Sequence, residues 1–516
     1  CFDIETHSPD GSFPFGERYP VVAIGIVTST GEREVFLWDG ESDRKVLTDF
    51  AKFVNEYDPD IMYGYNLIGY DIPQILHRAS YHGLRNYKKL LNRDGTNYGY
   101  TPPKDSKDLR MKAGGRIILD VLRLTRRDYA LSGQGRGLKA VSRHFGLDPI
   151  ELDFGDKVLL DYPLSEIHDY VLSDVDCTKY LFDHYYPQIE YTAELLGVPL
   201  EAYVNAPNSY ITKILQGRKL YEQNIITKDI NRDRHPEIYK DDKGNFQAAH
   251  IKLYEPGYHQ RNYKIDFASF YPSVAMALNL GPDTTRIVGY EDYVEDIDFD
   301  GSFIYIPDNK IGKRVKIEID TDRKSGLYEM CKQFKEMRAP YKVQKTKEAK
   351  SKSNALKIMV NTFYGANTNP YINYGDMATG ITITSVARFL LLSAINLIRK
   401  KYGEKAVVYC HTDGIYVNRD VDVDWLTKRL RLILEATIPN VESEWIRLDE
   451  DVYKEGIWIQ IGNYALRNQD GSITKHGSTF KASTRSRFYK ETLDKLITAR
   501  IDNTVNSKFI DELYDF

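Results

Sequence analysis

Cysteine is scarce in this chain: its 516 residues include four, Cys1, Cys177, Cys331 and Cys410, and no two form a C-x-x-C pair. That scatter encodes neither a disulfide framework nor a zinc or iron–sulfur site in these residues, and it fits a reducing compartment, with the cytoplasm the expected location. Long hydrophobic runs are scarce too. The longest, Phe389 to Ile398, holds ten residues and is broken by Ser393 and Asn396, so no membrane-spanning segment and no membrane partner is expected. There is no internal repeat, no low-complexity tract and no starting methionine. Cys1 opens at the edge of an apolar strand, so further residues are expected before it in the natural protein. What is present, 42% hydrophobic and 28% charged residues, is ordinary globular composition, and the length predicts three or four domains.

The formal net charge of -4 looks unfavourable for a nucleic-acid binder, but steering depends on where charges sit. From Lys310 to Lys357 there are 15 Lys and Arg against 6 Asp and Glu, so this window is strongly basic and the remainder strongly acidic. By itself such a window reads first as a solvated helical surface, and a nucleic-acid role for it needs support from elsewhere. The first 190 residues alternate β-rich runs (Val21 to Val27, Asp60 to Tyr63, Arg116 to Asp120) with helical ones (Arg44 to Tyr57, Gly137 to Phe145, Ser165 to Tyr186), which predicts a mixed α/β domain. The polar stretch near 229 to 245 is the expected boundary. Beyond it strands return from 250 to 310, with a short β excursion expected at 299 to 320. Two polar helices are expected over 325 to 368, joined around Lys350 to Ser353, then a third helix over 376 to 401.

Asp3 and Glu5 are two apart on an expected strand and so project from one face. Asn66-Leu-Ile-Gly-Tyr-Asp71 and Tyr170-Val-Leu-Ser-Asp174 add two further carboxylates at the edges of α/β elements. Four carboxylates can hold two divalent ions, and Tyr170, one helical turn before Asp174, can orient an attacking water. The order Asp-Ile-Glu-Thr, Asn-x-x-x-Tyr-Asp, Tyr-x-x-x-Asp resembles the three exonuclease motifs of the proofreading domain of family B DNA polymerases. The resemblance implies a ribonuclease H-like fold and 3′ to 5′ exonuclease activity. Asp120 falls where the family often has an Asp, and a structural role serves it equally well.

A second set follows in the family's order. Asp266-Phe-Ala-Ser-Phe-Tyr271-Pro is similar to polymerase motif A. The resemblance implies that Asp266 ligates both catalytic metals, that Phe267 offers a backbone carbonyl, and that Tyr271 closes against the sugar 2′ position, favouring deoxynucleotides. Lys357, Asn361 and Tyr364 share a helix face, and Arg338 and Lys342, four apart, present two cations from the helix before. Together they match motif B and the fingers helix, so Arg338, Lys342, Lys357 and Asn361 are expected to grip the incoming triphosphate, with Tyr364 and Gly365 as the floor for the new base pair. Val407 to Val417 is a hairpin around Asp413-Gly414 and resembles motif C, with Asp413 the metal ligand and His411 standing where the family has its first Asp. Because Mg²⁺ prefers oxygen donors, that exchange bears on the polymerase site.

The implied fold class is α/β and α+β multidomain: a ribonuclease H-like exonuclease over 1–190, a helical and polar connector over 191–250, a right-hand polymerase with palm over 251–324 and 373–465 and fingers over 325–372, and the start of a thumb over 466–516. Asn463-Tyr464 and Lys475 to Lys481 look like remnants of the primer-strand segment, without its usual basic residues. Only 52 residues follow Tyr464, fewer than the family's usual thumb. Short spacings, 95 residues from Asp266 to Asn361 and 52 from Asn361 to Asp413, favour a nucleic-acid primer over a protein primer. The implied cofactors are Mg²⁺ or Mn²⁺, two ions per site. The implied partners are primer–template DNA, dNTPs and a sliding clamp or other replication proteins. Two alternatives stand beside this reading: a polymerase-impaired member acting mainly as a 3′ to 5′ exonuclease because of His411, and a non-catalytic nucleic-acid-binding module.

Overall fold

The computed structural model describes residues 1–84, 92–94, 99–101, 110–112, 114–128, 131, 135–206, 209–222, 250–308, 312–367, 376–438, 440–481, 487–502, 504–505 and 509. The chain forms two compact units, Cys1–Pro207 and Asn208–Phe516.

In the first unit β1 (Phe2–Thr6), β2 (Val21–Val27) and β3 (Arg33–Leu37) make an antiparallel sheet in that order. All seven residues of β2 are buried because helices cover both its faces. One cover is α1 (Arg44–Tyr57), whose Val46, Leu47, Phe50, Ala51 and Val54 repeat at helical spacing and face inward. Truncating Phe50, in ring contact with Phe2, should cost about 3–5 kcal/mol. Next come β4 (Ile61–Gly64), α2 (Asp71–Tyr81), the short pair β5 (Gly99–Thr101) and β6 (Arg110–Lys112), β7 (Ile117–Asp120) parallel to β4, α3 (Val121–Arg127) and α4 (Leu138–His144). The long helix α5 (Leu164–Leu196) is the other cover of β2 and outruns its expected end by ten residues. It stops at Gly197, whose φ of 57° lets its N–H and that of Val198 return to Glu194 and Ala193 carbonyls.

The unit boundary falls earlier than the polar stretch around 229–245, which lies outside the described residues. The reason is Arg127. Its guanidinium donates to the Tyr203, Val204 and Ala206 carbonyls and ties α6 (Leu200–Asn205) to α3. Residues 191–206 therefore belong to the first unit.

The second unit begins with α7 (Ser209–Glu222) and is organised on an antiparallel five-stranded sheet. Its order is β17 (Leu448–Tyr453), β10 (Asn262–Phe267), β16 (Gly414–Val417), β15 (Val407–His411), β8 (Ile251–Leu253). Packed with it are α8 (Phe270–Ala277), α11 (Met377–Tyr402) and α12 (Val423–Thr437). A second sheet joins β9 (Gly257–His259), β18 (Glu455–Gln460), β19 (Asn463–Arg467) and β20 (Ile473–His476). The β excursion is larger than expected: β11 (Thr285–Asp292), β12 (Asp298–Asp300), β13 (Phe303–Asp308) and β14 (Lys313–Ile319) form a four-stranded sheet. Helices α13 (Ser478–Lys481) and α14 (Arg487–Ile501) follow β20.

Helix α11 corrects the membrane expectation. It is long and apolar enough to cross a bilayer, because Ser393 and Asn396 interrupt a run without lowering its mean hydropathy much. Its residues from Met377 to Ala387 are all buried, so it serves as the core helix of this unit. The polar helices α9 (Gly326–Lys342) and α10 (Lys347–Asn367) form a hairpin, but their joint is 343–346 and not 350–353. Thr346 Oγ1 accepts the Ala349 N–H at the start of α10, while Ser353 is buried and accepts from Arg338 Nε (3.1 Å). The basic window at 310–357 is therefore no single stripe: it spans β14, α9 and half of α10.

Two candidate carboxylate centres

In the first unit the backbone pleat sends Phe2 and Ile4 into the core and turns Asp3 and Glu5 to the other face. Helix α5 brings Asp174 against them, so that Asp3, Glu5 and Asp174 each offer an oxygen within 4.8 Å of the others. Asp71, at the start of α2, stands beside this group rather than in it. Its Oδ1 accepts the Ile4 N–H at 3.2 Å, which fixes it against β1. Burial makes all four reluctant anions: Asp3 is raised well above the usual carboxylate range by burial, then by Asp71 and Glu5, burial pushes Glu5 and Asp71 to about 8, and burial raises Asp174 against the pull of Lys139.

Asp120 is not part of the centre. It caps α3 through the Leu122 N–H and accepts the Asn66 and Ile68 N–H groups, shaping the turn that leads to Asp71. Tyr170 lies one turn before Asp174, and burial raises its phenol, with Glu5 and Asp174 adding to the shift. A cation that the sequence motifs do not contain is also here. Lys139 of α4 donates to Asp174 and to the Ile150 carbonyl (2.8 Å), and its Nζ lies 4.2 Å from the Tyr170 ring centroid. No local pattern announces it, because the contact closes 35 residues.

In the second unit Asp266 is the penultimate residue of β10 and pairs across to Gly414, placing the Asp413 turn beside it. Phe267 is buried, and its N–H donates to the Asp413 carbonyl at 3.0 Å, locking the strand end to the turn. Thr412 adopts φ 58°, and a Cβ at Gly414 would stand 3.0 Å from Asp266 Oδ1, so the tight approach depends on that glycine. The Asp413 carboxyl is raised by burial and then by Asp266. Asp266 Oδ1 is buried without a hydrogen-bond partner, and Oδ2 accepts from Lys264 Nζ at 2.7 Å. His411 is exposed at the end of β15, its Nδ1 3.3 Å from Thr412 Oγ1. Cross-strand register puts Asp449 opposite Asp266 and Asp451 opposite Lys264, which adds two exposed carboxylates to this face. Lys264 is legible by the two-residue period that places Asp3 with Glu5, whereas Asp449 and Asp451 reach this face through the register of a strand distant in sequence, which no local spacing gives.

Tyr271, in the first turn of α8, has its phenol raised by burial and then by Asp413, the electrostatic sign of its nearness to the second centre. Lys335 reaches from α9 to Ser273 Oγ (2.9 Å), and burial pushes its ammonium down to about 8. Arg338 is half-buried on α9, while Lys342, Lys357 and Asn361 are exposed. Tyr364 is on α10, but its side chain lies outside the described residues. Tyr464 is not at a surface: it stacks on Trp458 (4.3 Å) and His476 (4.6 Å), and Lys475 is paired with Asp494.

Residues 30–141 match the model of the DNA polymerase family B exonuclease domain, and residues 208–501 match that of DNA polymerase family B. The chain belongs to DNA polymerase family B. It is 24% identical over 527 residues to the DNA polymerase of Thermococcus gorgonarius, covering 97% of this chain and 64% of that protein. It is also 24% identical over 533 residues to DNA polymerase 1 of Pyrococcus abyssi, covering 96% and 63%. The structure of the family B DNA polymerase from Pyrobaculum calidifontis superposes with a TM-score of 0.70 at 23% identity, covering 99% of this chain and 63% of that one. The mixed α/β, multidomain architecture expected from the sequence is thus the family's fold. The chain spans a little under two thirds of the length of these relatives.

Proposed function

We propose that this chain is a template-directed DNA polymerase that adds dNTPs to a primer 3′ end and carries a 3′ to 5′ proofreading exonuclease. The observation that supports it most is the pair of carboxylate centres. One joins Asp3, Glu5 and Asp174 within 4.8 Å, and the other leaves Asp266 Oδ1 buried without a partner next to Asp413. Both donor sets are hard oxygens short of positive charge, which fits Mg²⁺ or Mn²⁺. Asp266, Asp413 and the Phe267 carbonyl would hold the ions of the polymerase site, and Asp3, Glu5, Asp174 and Asp71 those of the exonuclease site. When bound, two divalent ions neutralise charge developing on the attacking and leaving oxygens of a phosphoryl transfer.

The chain's own residues do the rest. Tyr271 fills the volume a 2′-hydroxyl would need. Arg338, Lys342, Lys357 and Asn361 bind and orient the triphosphate, with Tyr364 under the new pair. Tyr170 orients the water of the exonuclease reaction, and Lys139 holds Asp174 in place and opposes the burial that raises its carboxyl. Primer–template DNA, a sliding clamp and a cytoplasmic location belong to the same reading. Primer extension on a defined template tests it: elongation with dNTPs and 3′ shortening without them are expected, and a chain that does neither in Mg²⁺ or Mn²⁺ overturns it. The second reading, an exonuclease with impaired polymerisation, is favoured by Lys264 on Asp266 and by the absence of a carboxylate at position 411. It predicts shortening without elongation.

A further inference from the structure

We propose that Lys264 is a built-in competitor for divalent cations at the second centre, a tethered monovalent charge that limits this centre to one ion until it is displaced. The inference rests on the reading of Asp266 and Asp413 as polymerase metal ligands. Asp266 has two oxygens. Lys264 holds Oδ2 at 2.7 Å, and Oδ1 is the buried one without a partner. A carboxylate already shared with an ammonium can give one oxygen to a divalent ion but cannot give both.

The strand that carries the ammonium is firmly held. Lys264 is two residues before Asp266 on the central part of the sheet, and its strand is paired on both sides, to Tyr416 and to Asp451. Its stem crosses Gly414, with Cε 3.1 Å from where a Cβ would be, so the hairpin glycine opens the channel that the lysine uses. The first centre differs in what its lysine leaves over. Lys139 holds one carboxylate there, while Asp3 and Glu5 remain for a cation. In the second centre the held carboxylate is one of the two on which metal binding depends, so an ammonium is a direct rival for the same oxygen.

Mn²⁺ binding followed by electron paramagnetic resonance tests this directly, using the full chain with Asp3→Ala and Glu5→Ala so that uptake reports the second centre. Lys264→Met should bind Mn²⁺ roughly tenfold more tightly, since one unit charge a few ångströms away is removed, and should take up a second ion without nucleotide. Lys264→Arg keeps the charge and should stay near the parent. Should Lys264→Met fail to fold, Lys264→Gln, which can still donate to Oδ2, carries the same expectation. Unchanged affinity and stoichiometry in the neutral variant would overturn the inference. Primer extension by the unaltered chain separates the two failures. Extension with no change in Mn²⁺ binding rejects the role of Lys264 alone, whereas no extension and no Mn²⁺ uptake that Asp266→Asn removes rejects the polymerase reading, and this inference with it.

Discussion

The two acidic centres are built from similar parts and balanced differently. Each sets strand carboxylates, Asp3 and Glu5 in the first and Asp266 in the second, next to one from a neighbouring element, and each places a lysine on one of the acids. In the first unit the acids outnumber the lysine and lie deep enough that Glu5 and Asp71 are pushed to about 8. In the second, a lysine on the same strand as Asp266 satisfies half of that carboxylate, and Asp449 and Asp451 lie exposed alongside. Burial with too few cations produces a site that stores repulsion. A lysine in the strand produces a site already half-neutralised.

The largest effect should come from removing acids. Asp266→Ala or Asp413→Ala should lower primer extension by about 10³-fold or more, and Asp3→Ala with Glu5→Ala should do the same to 3′ shortening, since metal charge stabilisation is worth several kcal/mol. Rates measured for both reactions in each variant check whether the centres are independent. A variant that loses both reactions would break the comparison.

Sugar selection should follow. Tyr271→Ala should raise ribonucleotide incorporation relative to deoxynucleotide by roughly 1–3 kcal/mol of lost discrimination, or about 5- to 150-fold. Competing rNTPs against dNTPs in single-nucleotide extension measures it.

The stored repulsion makes a third prediction, read by thermal unfolding of the first unit. Glu5 and Asp71 have folded values above their unfolded ones, so the folded state holds protons that the unfolded state releases. In a chelator, stability should therefore be greatest at low pH within the folded range, fall as pH rises from about 4.5, and level off above about 8. Mn²⁺ should restore it at pH 8, by about 2.7 kcal/mol at a hundred times its Kd. Flat melting temperatures from pH 5 to 8 would remove the contrast with the second centre.

The smallest effect is expected at position 411. His411 is exposed at the strand end, so His411→Asp should change Mg²⁺-supported extension by no more than about threefold, as surface charges beyond direct contact do. A larger gain would move position 411 into the metal-binding set.

Much of both centres was legible because strand and helix periods carry side-chain direction. Asp3 with Glu5, Tyr170 with Asp174, and the hairpin around Asp413 could all be read from spacing. Lys139 could not, because its contact with Asp174 depends on how α4 packs on α5. The joint of α9 and α10 escapes local reading for a similar reason: Lys350 to Ser353 looks like polar punctuation, yet Ser353 faces inward to meet Arg338. The unit boundary depended on Arg127 gathering carbonyls some 76 residues away, which composition does not register.

The aromatic cluster behind the second centre also has a spectroscopic consequence. Of the four tryptophans, Trp38, Trp425, Trp445 and Trp458, only Trp458 is fully buried. Its indole N–H donates to Asn262 Oδ1 on the strand that carries Asp266, and its ring stacks on Tyr464. An indole so enclosed emits at shorter wavelength than its partly exposed counterparts, and Tyr409, Tyr416 and Tyr464 lie within energy-transfer range at 4.3–5.1 Å. The blue edge of the protein's own fluorescence is therefore a label-free gauge of whether the strand bearing Asp266 stays seated when DNA, nucleotide or metal is added.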